Sequence, residues 1–452
     1  SLVQRLASES PSAQPRFSLL RTIAAYAGEK LSKAERVELE DTIATWLLKH
    51  CTQLARAVSG HAGSERFLRL VDELPNLLAA AETMLRRRPR SPRDTETALM
   101  AAMSASPVLL ARGPIGVLLN VLDDALRAAA ELADIDPHLH AEALVCRAES
   151  LGALGRPGEG RRDAEEALLI ATRQGDDPMR GAALLALAGA AAGQGRIEEG
   201  IDSCEQALAV HRFTGDDRLA GLTLDRLGRL AARAQIMDRA LELHERALAV
   251  LRRAGDQRAL SWALDHTGVT CLEAERLDEA RTHFELALQL MQQLGAKRGE
   301  GVVRGHLAQL LIEQGELESA RSEIRLALDA LRGVGDRDRE GRVVALDAAR
   351  LILSGRPEKS VDLARKALQR AHESGEPTVV VRTHLLLAVA LAACDRTREA
   401  EQAIDDASGW SGGTNRRLAV EVAMAQAHVD AAFGREVANS GHRAAAAQHL
   451  EE

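Results

Sequence analysis

The chain is poor in aromatic residues and proline, and each shortage narrows the choice of fold. Only 2% of its 452 residues are aromatic (five Phe, three Trp and one Tyr), although 46% are hydrophobic. A core of this size must therefore be filled by Ala and Leu, which favours close-packed helices over a sheet rich in aromatic and β-branched residues. The 12 Pro leave room for long uninterrupted helices. The composition predicts an all-α fold.

Charge of one sign, long apolar runs and paired cysteines are also lacking. The 58 basic and 66 acidic residues give a net charge of −8, which argues against direct nucleic-acid binding by this chain. We find neither an 18-residue apolar run nor a signal peptide, so we expect no membrane span. The five Cys are odd in number and never stand at C-x-x-C spacing. This pattern is typical of small buried residues in a reducing compartment, so we expect a cytoplasmic protein.

From about residue 140 the chain repeats itself at intervals of 40 residues. Ala occupies positions 167, 207, 247, 287, 327, 367, 407 and 447, and Gly recurs at 175, 215, 255, 295, 335 and 375. Further small residues stand at 148, 188, 228, 268, 308, 348 and 388, and at 160, 200, 240, 280, 320, 360 and 400. In the copy at 220–259, two apolar stripes at helical spacing flank a turn at 235–238, and Gly255 suits the left-handed position that ends a helix. Each copy therefore predicts two helices, with small residues where neighbouring helices approach closely.

The pattern of small positions resembles the tetratricopeptide repeat. The matching residues are Leu227-Gly228, Ala240 and Ala247, and again Ala280, Phe284 and Ala287. The copies are about six residues longer than the usual unit, and they lack its aromatic at the eleventh position and its closing Pro. HEAT or armadillo repeats are closer in length but differ in the pattern of small residues. The resemblance implies a right-handed superhelical solenoid of about nine helix-turn-helix repeats.

The period divides the chain into two predicted domains. The solenoid is predicted at 96–452, with repeats near 97–139, 140–179, 180–219, 220–259, 260–299, 300–339, 340–379, 380–414 and 415–452. Residues 1–95 do not share the period and predict a small helical region. Its predicted elements are an amphipathic helix at Arg16–Ala27, a capping box at Ser32–Glu35 and a helix from about Ser64 to Arg86.

Two stretches of this region resemble a junction in the bacterial STAND class, the signal-transduction ATPases with numerous domains. Arg16–Ala27 resembles the segment that closes the winged-helix part of their nucleotide-binding module, and Glu73–Ala80 resembles the helix that leads into tetratricopeptides. The resemblance implies that the chain is a fragment, the sensor arm of a regulator of signalling or transcription that oligomerises on activation. Its own upstream module would then be a P-loop NTPase. The chain itself has no G-x-x-x-x-G-K-[ST] motif, so we expect no bound nucleotide and no other cofactor.

No motif for catalysis or metal binding stands out. The 14 His are dispersed, and neither H-E-x-x-H nor G-x-S-x-G occurs, so we expect no enzymatic activity and no metal. His266 and His306 stand one repeat apart on first helices, where a surface or groove pair is favoured over a metal site. The basic run Arg86–Arg93 suits contact with phosphate or an acidic partner, but its two Pro favour a solvated linker.

In the tetratricopeptide family the first helices of the repeats line a concave surface, and the resemblance places ten candidate binding residues there. They are Asp225, Arg229, Arg233, Trp262, Asp265, His266, His306, Gln309, Arg342 and Arg382. One Trp among Arg and Asp groups is typical of a binding hot spot, which predicts a protein, peptide or small-molecule effector as ligand. The alternative is that Trp262 fills a gap between repeats and the charges are solvated.

Three functions follow from these observations. The first is a non-enzymatic sensor arm that regulates an attached STAND ATPase. The second is a free-standing scaffold or peptide receptor in which the first 95 residues are a helical cap. The third, a nucleic-acid regulator, is disfavoured by the net charge of −8.

Overall fold

The computed structural model describes residues 3–6, 16–19, 26, 29–58, 63–132, 134–374, 377–411, 422, 424 and 425. These residues form helices joined by short turns, together with one two-stranded hairpin. They divide into two compact units, Ser1–Ala296 and Lys297–Glu452. The all-α fold predicted from the composition and the repeats is confirmed.

The first two elements are the strands β1 (Val3–Leu6) and β2 (Arg16–Leu19). They pair antiparallel, with Val3 opposite Leu19. The helix predicted at 16–27 is therefore wrong over its first four residues, and most of its remainder lies outside the described residues. A short run that contains apolar residues fits a strand as well as a helical face, and here the pairing with β1 decides between them.

Two long helices follow, α1 (Lys33–Ala57) and α2 (Gly63–Arg86). The Ser32 hydroxyl accepts a hydrogen bond from the Glu35 N–H (3.2 Å), and the Glu35 carboxylate accepts one from the Ser32 N–H (2.8 Å). This reciprocal pair is the predicted capping box, which satisfies two backbone donors at the start of α1. The helix predicted to end at Arg86 is also confirmed.

The basic run after α2 is not solvated at Arg87. This guanidinium forms ion pairs with Glu40 (3.0 Å), Asp41 (2.6 Å) and Asp94 (2.8 Å), and only 15% of the side chain is exposed. The prediction of a solvated linker is wrong at this residue. Carboxylates from α1 and from the next helix converge on Arg87 and replace its hydration with charge-assisted hydrogen bonds.

The described residues from Pro92 onward form eight consecutive helix pairs. The first unit holds α3 (Pro92–Arg112) with α4 (Ile115–Ala130), α5 (Pro137–Ala153) with α6 (Pro157–Gln174), α7 (Asp177–Gly193) with α8 (Ile197–Thr214), α9 (Asp217–Arg233) with α10 (Met237–Ala254), and α11 (Gln257–Glu273) with α12 (Leu277–Gln293). The second unit holds α13 (Lys297–Glu313) with α14 (Leu317–Val334), α15 (Arg337–Leu353) with α16 (Pro357–Ser374), and α17 (Pro377–Ala392) with α18 (Thr397–Ser411). The repeat predicted at 415–452 lies outside the described residues, apart from 422, 424 and 425.

A Gly-Asp pair links one helix pair to the next at several positions. Gly255 ends α10 with φ +72°, which confirms the predicted left-handed glycine. Asp256 then caps α11, because its carboxylate accepts a hydrogen bond from the Ala259 N–H (2.9 Å). Arg218 of the preceding first helix donates to the same carboxylate (2.8 Å) and so joins consecutive repeats. Equivalent caps lie at Gly175-Asp176, Gly215-Asp216 and Gly335-Asp336.

The recurring small residues lie where helices meet. Six of the alanines on the second helices are 0% exposed, namely Ala167, Ala207, Ala247, Ala287, Ala327 and Ala407. A Cβ on Gly160 would lie only 2.9 Å from the carbonyl oxygen of Ala148, on the first helix of the same pair. A larger side chain at such a position would push the two backbones apart.

All five cysteines are free, and Cys51, Cys204 and Cys271 are buried. Burial raises the pKa of the Cys204 thiol to about 12 and that of Cys271 to about 11, so both remain protonated. None of the helices in the described part of the chain is both long and apolar enough to cross a membrane.

Candidate functional site

The ten candidate residues fall into two groups on first helices. Asp225, Arg229 and Arg233 lie on α9, and Trp262, Asp265 and His266 lie on α11, all in the first unit. His306 and Gln309 lie on α13, Arg342 on α15 and Arg382 on α17, in the second unit. The predicted proximity of His266 and His306 stays a prediction.

The rings of Trp262 and His266 stack on one face of α11. Their centroids are 6.1 Å apart and their planes are inclined by 26°. A spacing of four residues places both rings on the same side of a helix, which explains the contact. Both side chains are half-buried, so they are held by neighbours and still reach the surface.

The carboxylate of Asp225 on α9 contacts the His266 ring of this stack. Its Oδ2 lies 2.8 Å from Nδ1 of His266, and its Oδ1 lies 3.3 Å from Nδ1 of His244, a fully buried residue of α10. Nε2 of His244 is in turn 3.2 Å from the Thr270 hydroxyl on α11. Asp225 on α9 and His266 on α11 are both residues of the predicted surface. Their contact thus joins two consecutive repeats.

The Asp225 carboxyl is ionised although it is only 6% exposed. Burial acts to raise its pKa, but the charge of His266, the hydrogen bond with the His266 ring and the nearby His244 ring outweigh burial. The pKa of Asp225 is therefore held well below its usual value. A buried carboxylate that receives such contacts fixes the orientation of both imidazoles, since each ring turns Nδ1 towards it.

Gly228 makes room for this arrangement. A Cβ at this position would lie 2.8 Å from the ring of His244, which is closer than side chains tolerate. The absence of a side chain at Gly228, a small position of the repeat pattern, therefore lets the His244 imidazole of α10 pack against α9 beside Asp225.

Three arginines follow one face of α9 at positions 226, 229 and 233. Arg233 donates to the carbonyl oxygen of Ala192 at the end of α7 (2.7 Å), and Arg229 is exposed. Sequence reasoning missed Arg226, because it lies outside the positions that the family resemblance marks. The signal was present in the spacing of three and four residues, which aligns all three side chains on a helix.

Two candidates of the second unit form hydrogen bonds within their own helices. Gln309 donates to Glu313 (3.1 Å), and Arg342 donates to Asp338 (3.2 Å). His306 is half-buried and Arg382 is exposed. Among the residues that the structure describes, no group of three or more His, Cys, Asp or Glu side chains is placed to hold a metal ion.

Comparisons with known proteins identify the repeats. Residues 222–293, which run from within α9 to the end of α12, match the sequence model of the family described as Tetratricopeptide repeat. None of the curated protein sequences matches the chain. Residues 222–293 thus carry tetratricopeptide repeats, which are protein-interaction repeats.

Three solved structures are similar to this chain. A Rap protein complexed with Competence and Sporulation Factor is 10% identical, with 79% of this chain and 99% of that one covered and a TM-score of 0.57. The apo form of the quorum sensor NprR from B. thuringiensis is 16% identical, with 80% and 98% covered and a TM-score of 0.51. A STAND protein with a tetratricopeptide repeat sensor, PH0952 from Pyrococcus horikoshii, is 16% identical, with 76% and 54% covered and a TM-score of 0.47.

Proposed function

We propose that the chain is a non-enzymatic receptor module, and that the surface of α9 and α11 binds a peptide or a segment of a partner protein. The observation that carries this proposal is the Trp262–His266 stack, held in place by the buried Asp225 carboxylate. Trp262 is half-buried on α11 and Arg229 is exposed on α9, and Trp and Arg are residue types that dominate binding energy at interfaces. Because the two rings are already ordered, little conformational entropy of the receptor's side chains is lost when a ligand binds.

Replacing Trp262 by Ala tests the binding surface. Peptides are selected from a displayed random library on the wild-type chain, and the dissociation constant of the tightest one is measured by isothermal titration. We expect at least about 30-fold weaker binding by Trp262→Ala, because truncation of a hot-spot aromatic costs about 2 kcal/mol or more.

Trp46 provides a matched control, since it lies on α1 and is 63% exposed. Trp46→Ala should bind the selected peptide as tightly as the wild-type chain does. Unchanged affinity of Trp262→Ala, or an equal loss in both variants, would show that the peptide binds elsewhere and would overturn the proposal.

We further propose that this module is the sensor arm of a cytoplasmic STAND regulator. The support is the resemblance of Arg16–Ala27 and Glu73–Ala80 to the STAND junction. A protein, peptide or small-molecule effector with different affinities for the resting and active states would shift the attached ATPase between them. The gene provides the test: a P-loop motif encoded in frame upstream of Ser1 is expected, and an upstream frame without one would contradict the proposal.

The alternative is a free-standing scaffold or peptide receptor. Its support is that the same fold occurs in a Rap protein complexed with Competence and Sporulation Factor and in the quorum sensor NprR. This architecture therefore suits a receptor of the kind proposed. The selected-peptide experiment applies to both alternatives, whereas the upstream gene sequence separates them.

A further inference from the structure

We propose that Arg226 and Arg229 form an oxyanion site on α9, which takes a carboxylate or phosphoryl group of the bound segment. This inference rests on the proposed function, because it names the chemistry of the ligand for the same surface. The two side chains are three residues apart and project from one face of the helix. Guanidinium groups bind the planar oxygens of both anions through paired N–H donors.

The Arg226 side chain packs against α7, the neighbouring first helix, at a glycine. Its guanidinium packs over Gly189 of α7, where a Cβ would lie 2.5 Å from Nη1. Its Nε is buried and has no hydrogen-bond partner among the described residues. Packing rather than a hydrogen bond at Nε therefore positions this guanidinium, and a ligand would meet its terminal N–H groups.

Neither Arg226 nor Arg229 forms an ion pair with an acidic residue in the described part of the chain. The nearest acid in sequence, Asp225, is directed away from them towards His244 and His266. Arg233, the third arginine of this face, donates to the backbone of Ala192. The positive charge of Arg226 and Arg229 is thus left for a ligand.

The electrostatics of Arg229 agree with this geometry. Its side chain reaches solvent, but the protein around it and then the nearby charge of Arg226 lower the pKa of Arg229. The two cations repel each other and have lost part of their hydration. An anion that binds between them stabilises both charges.

The first test titrates small anions into the full chain without any peptide. Inorganic phosphate and acetate are the probes, and their binding is followed by isothermal titration at low ionic strength. The double variant Arg226→Gln/Arg229→Gln should bind the preferred anion at least about tenfold more weakly, because charged hydrogen bonds are lost. Preference for phosphate identifies a phosphoryl ligand, and preference for acetate identifies a carboxylate.

The second test moves Arg226 without removing charge. Gly189→Ala should weaken anion binding several-fold, because the added Cβ displaces the guanidinium. Gly152→Ala is the matched control, since a Cβ on this helical glycine of α5 would contact nothing within 4 Å. Anion affinities equal to wild type in Gly189→Ala and in the double variant would overturn the oxyanion site.

The two proposals fail in different ways. If the selected peptide depends on Trp262 but binds the double arginine variant with full affinity, the surface is a receptor and the oxyanion site is wrong. If phosphate or acetate binding depends on both arginines but no peptide depends on Trp262, the oxyanion site stands and the peptide-binding surface is wrong.

Discussion

Replacing Phe284 by Ala is expected to lower the free energy of unfolding by about 3–5 kcal/mol. Phe284 lies on α12, is 0% exposed and is among the largest fully buried side chains of the described residues. Its ring packs on Gly268 of α11, where a Cβ would lie 2.6 Å from it. Truncation would leave a cavity opposite a glycine, which has no side chain to fill it. Urea denaturation followed by circular dichroism measures the loss.

Phe213 provides the control for this prediction, because it is 83% exposed on α8. Phe213→Ala should change the free energy of unfolding by less than about 0.5 kcal/mol. The effect of Gly268→Ala on the free energy of unfolding should depend on the residue at position 284. It should destabilise the wild-type chain through the clash with the Phe284 ring, and it should stabilise Phe284→Ala by partly filling the cavity. Equal losses in the two Phe variants would mean that Phe284 is not in the core.

The periodic part of the fold could be predicted because each repeat meets the same packing requirement. A small residue on the first helix of a repeat pairs with the residue sixteen positions later on the second helix, and the first is smaller where the second is larger. Glycine faces an aromatic ring in Gly228–His244 and Gly268–Phe284. The corresponding residues elsewhere are alanine with a smaller or aliphatic partner, namely Ala148 and Ala164, Ala188 and Cys204, Ala308 and Ile324, Ala348 and Ala364, and Ala388 and Ile404. One period therefore indicated both the helices and the faces on which they meet.

The features that were missed have no period. Arg87 collects Glu40 and Asp41 from a helix about 46 residues earlier, and neither spacing nor composition indicates such a contact. The hairpin β1–β2 was missed because its strands are four residues long and the partner strand lies in a segment without a recognisable pattern. Each of these features depends on a tertiary contact that occurs once in the chain. The contacts within the repeats recur in many copies and therefore leave a periodic pattern in the sequence.

The sequence predicted the first helices that carry the candidate residues, but not the contacts between their side chains. Asp225 and His266 were both placed on the surface as ligand-binding groups, yet they bind each other at 2.8 Å across 41 residues. His244 appeared only as one member of an apolar stripe, although it completes the cluster. The family pattern specifies which backbone positions face the groove, and the side chains at those positions then satisfy one another in ways that the pattern does not contain.

Removal of the Asp225 carboxylate is the second large effect that we expect. Asp225→Ala should lower the free energy of unfolding by about 3–5 kcal/mol at neutral pH, the range for breaking a buried charged contact by removing one partner. His266 would lose the acceptor of its Nδ1, and the fully buried His244 would lose its carboxylate neighbour. Asp225→Asn retains the shape and one acceptor oxygen, so it should cost about 1–3 kcal/mol. Urea denaturation of both variants measures the difference.

The pH dependence separates this cluster from simple loss of packing. Because the pKa of Asp225 in the fold lies well below its usual value of 3.8, its contribution is fully present above about pH 4. The contribution is lost as the pH falls through the lowered pKa, so the difference between wild type and Asp225→Ala should persist at pH 5 and shrink at lower pH, whereas a simple loss of packing would not depend on pH. Asp202, exposed on α8, is the control, and Asp202→Ala should cost less than about 0.5 kcal/mol. A comparable loss at both positions, or a difference at Asp225 that vanishes by pH 5, would show that the carboxylate does not hold the two imidazoles.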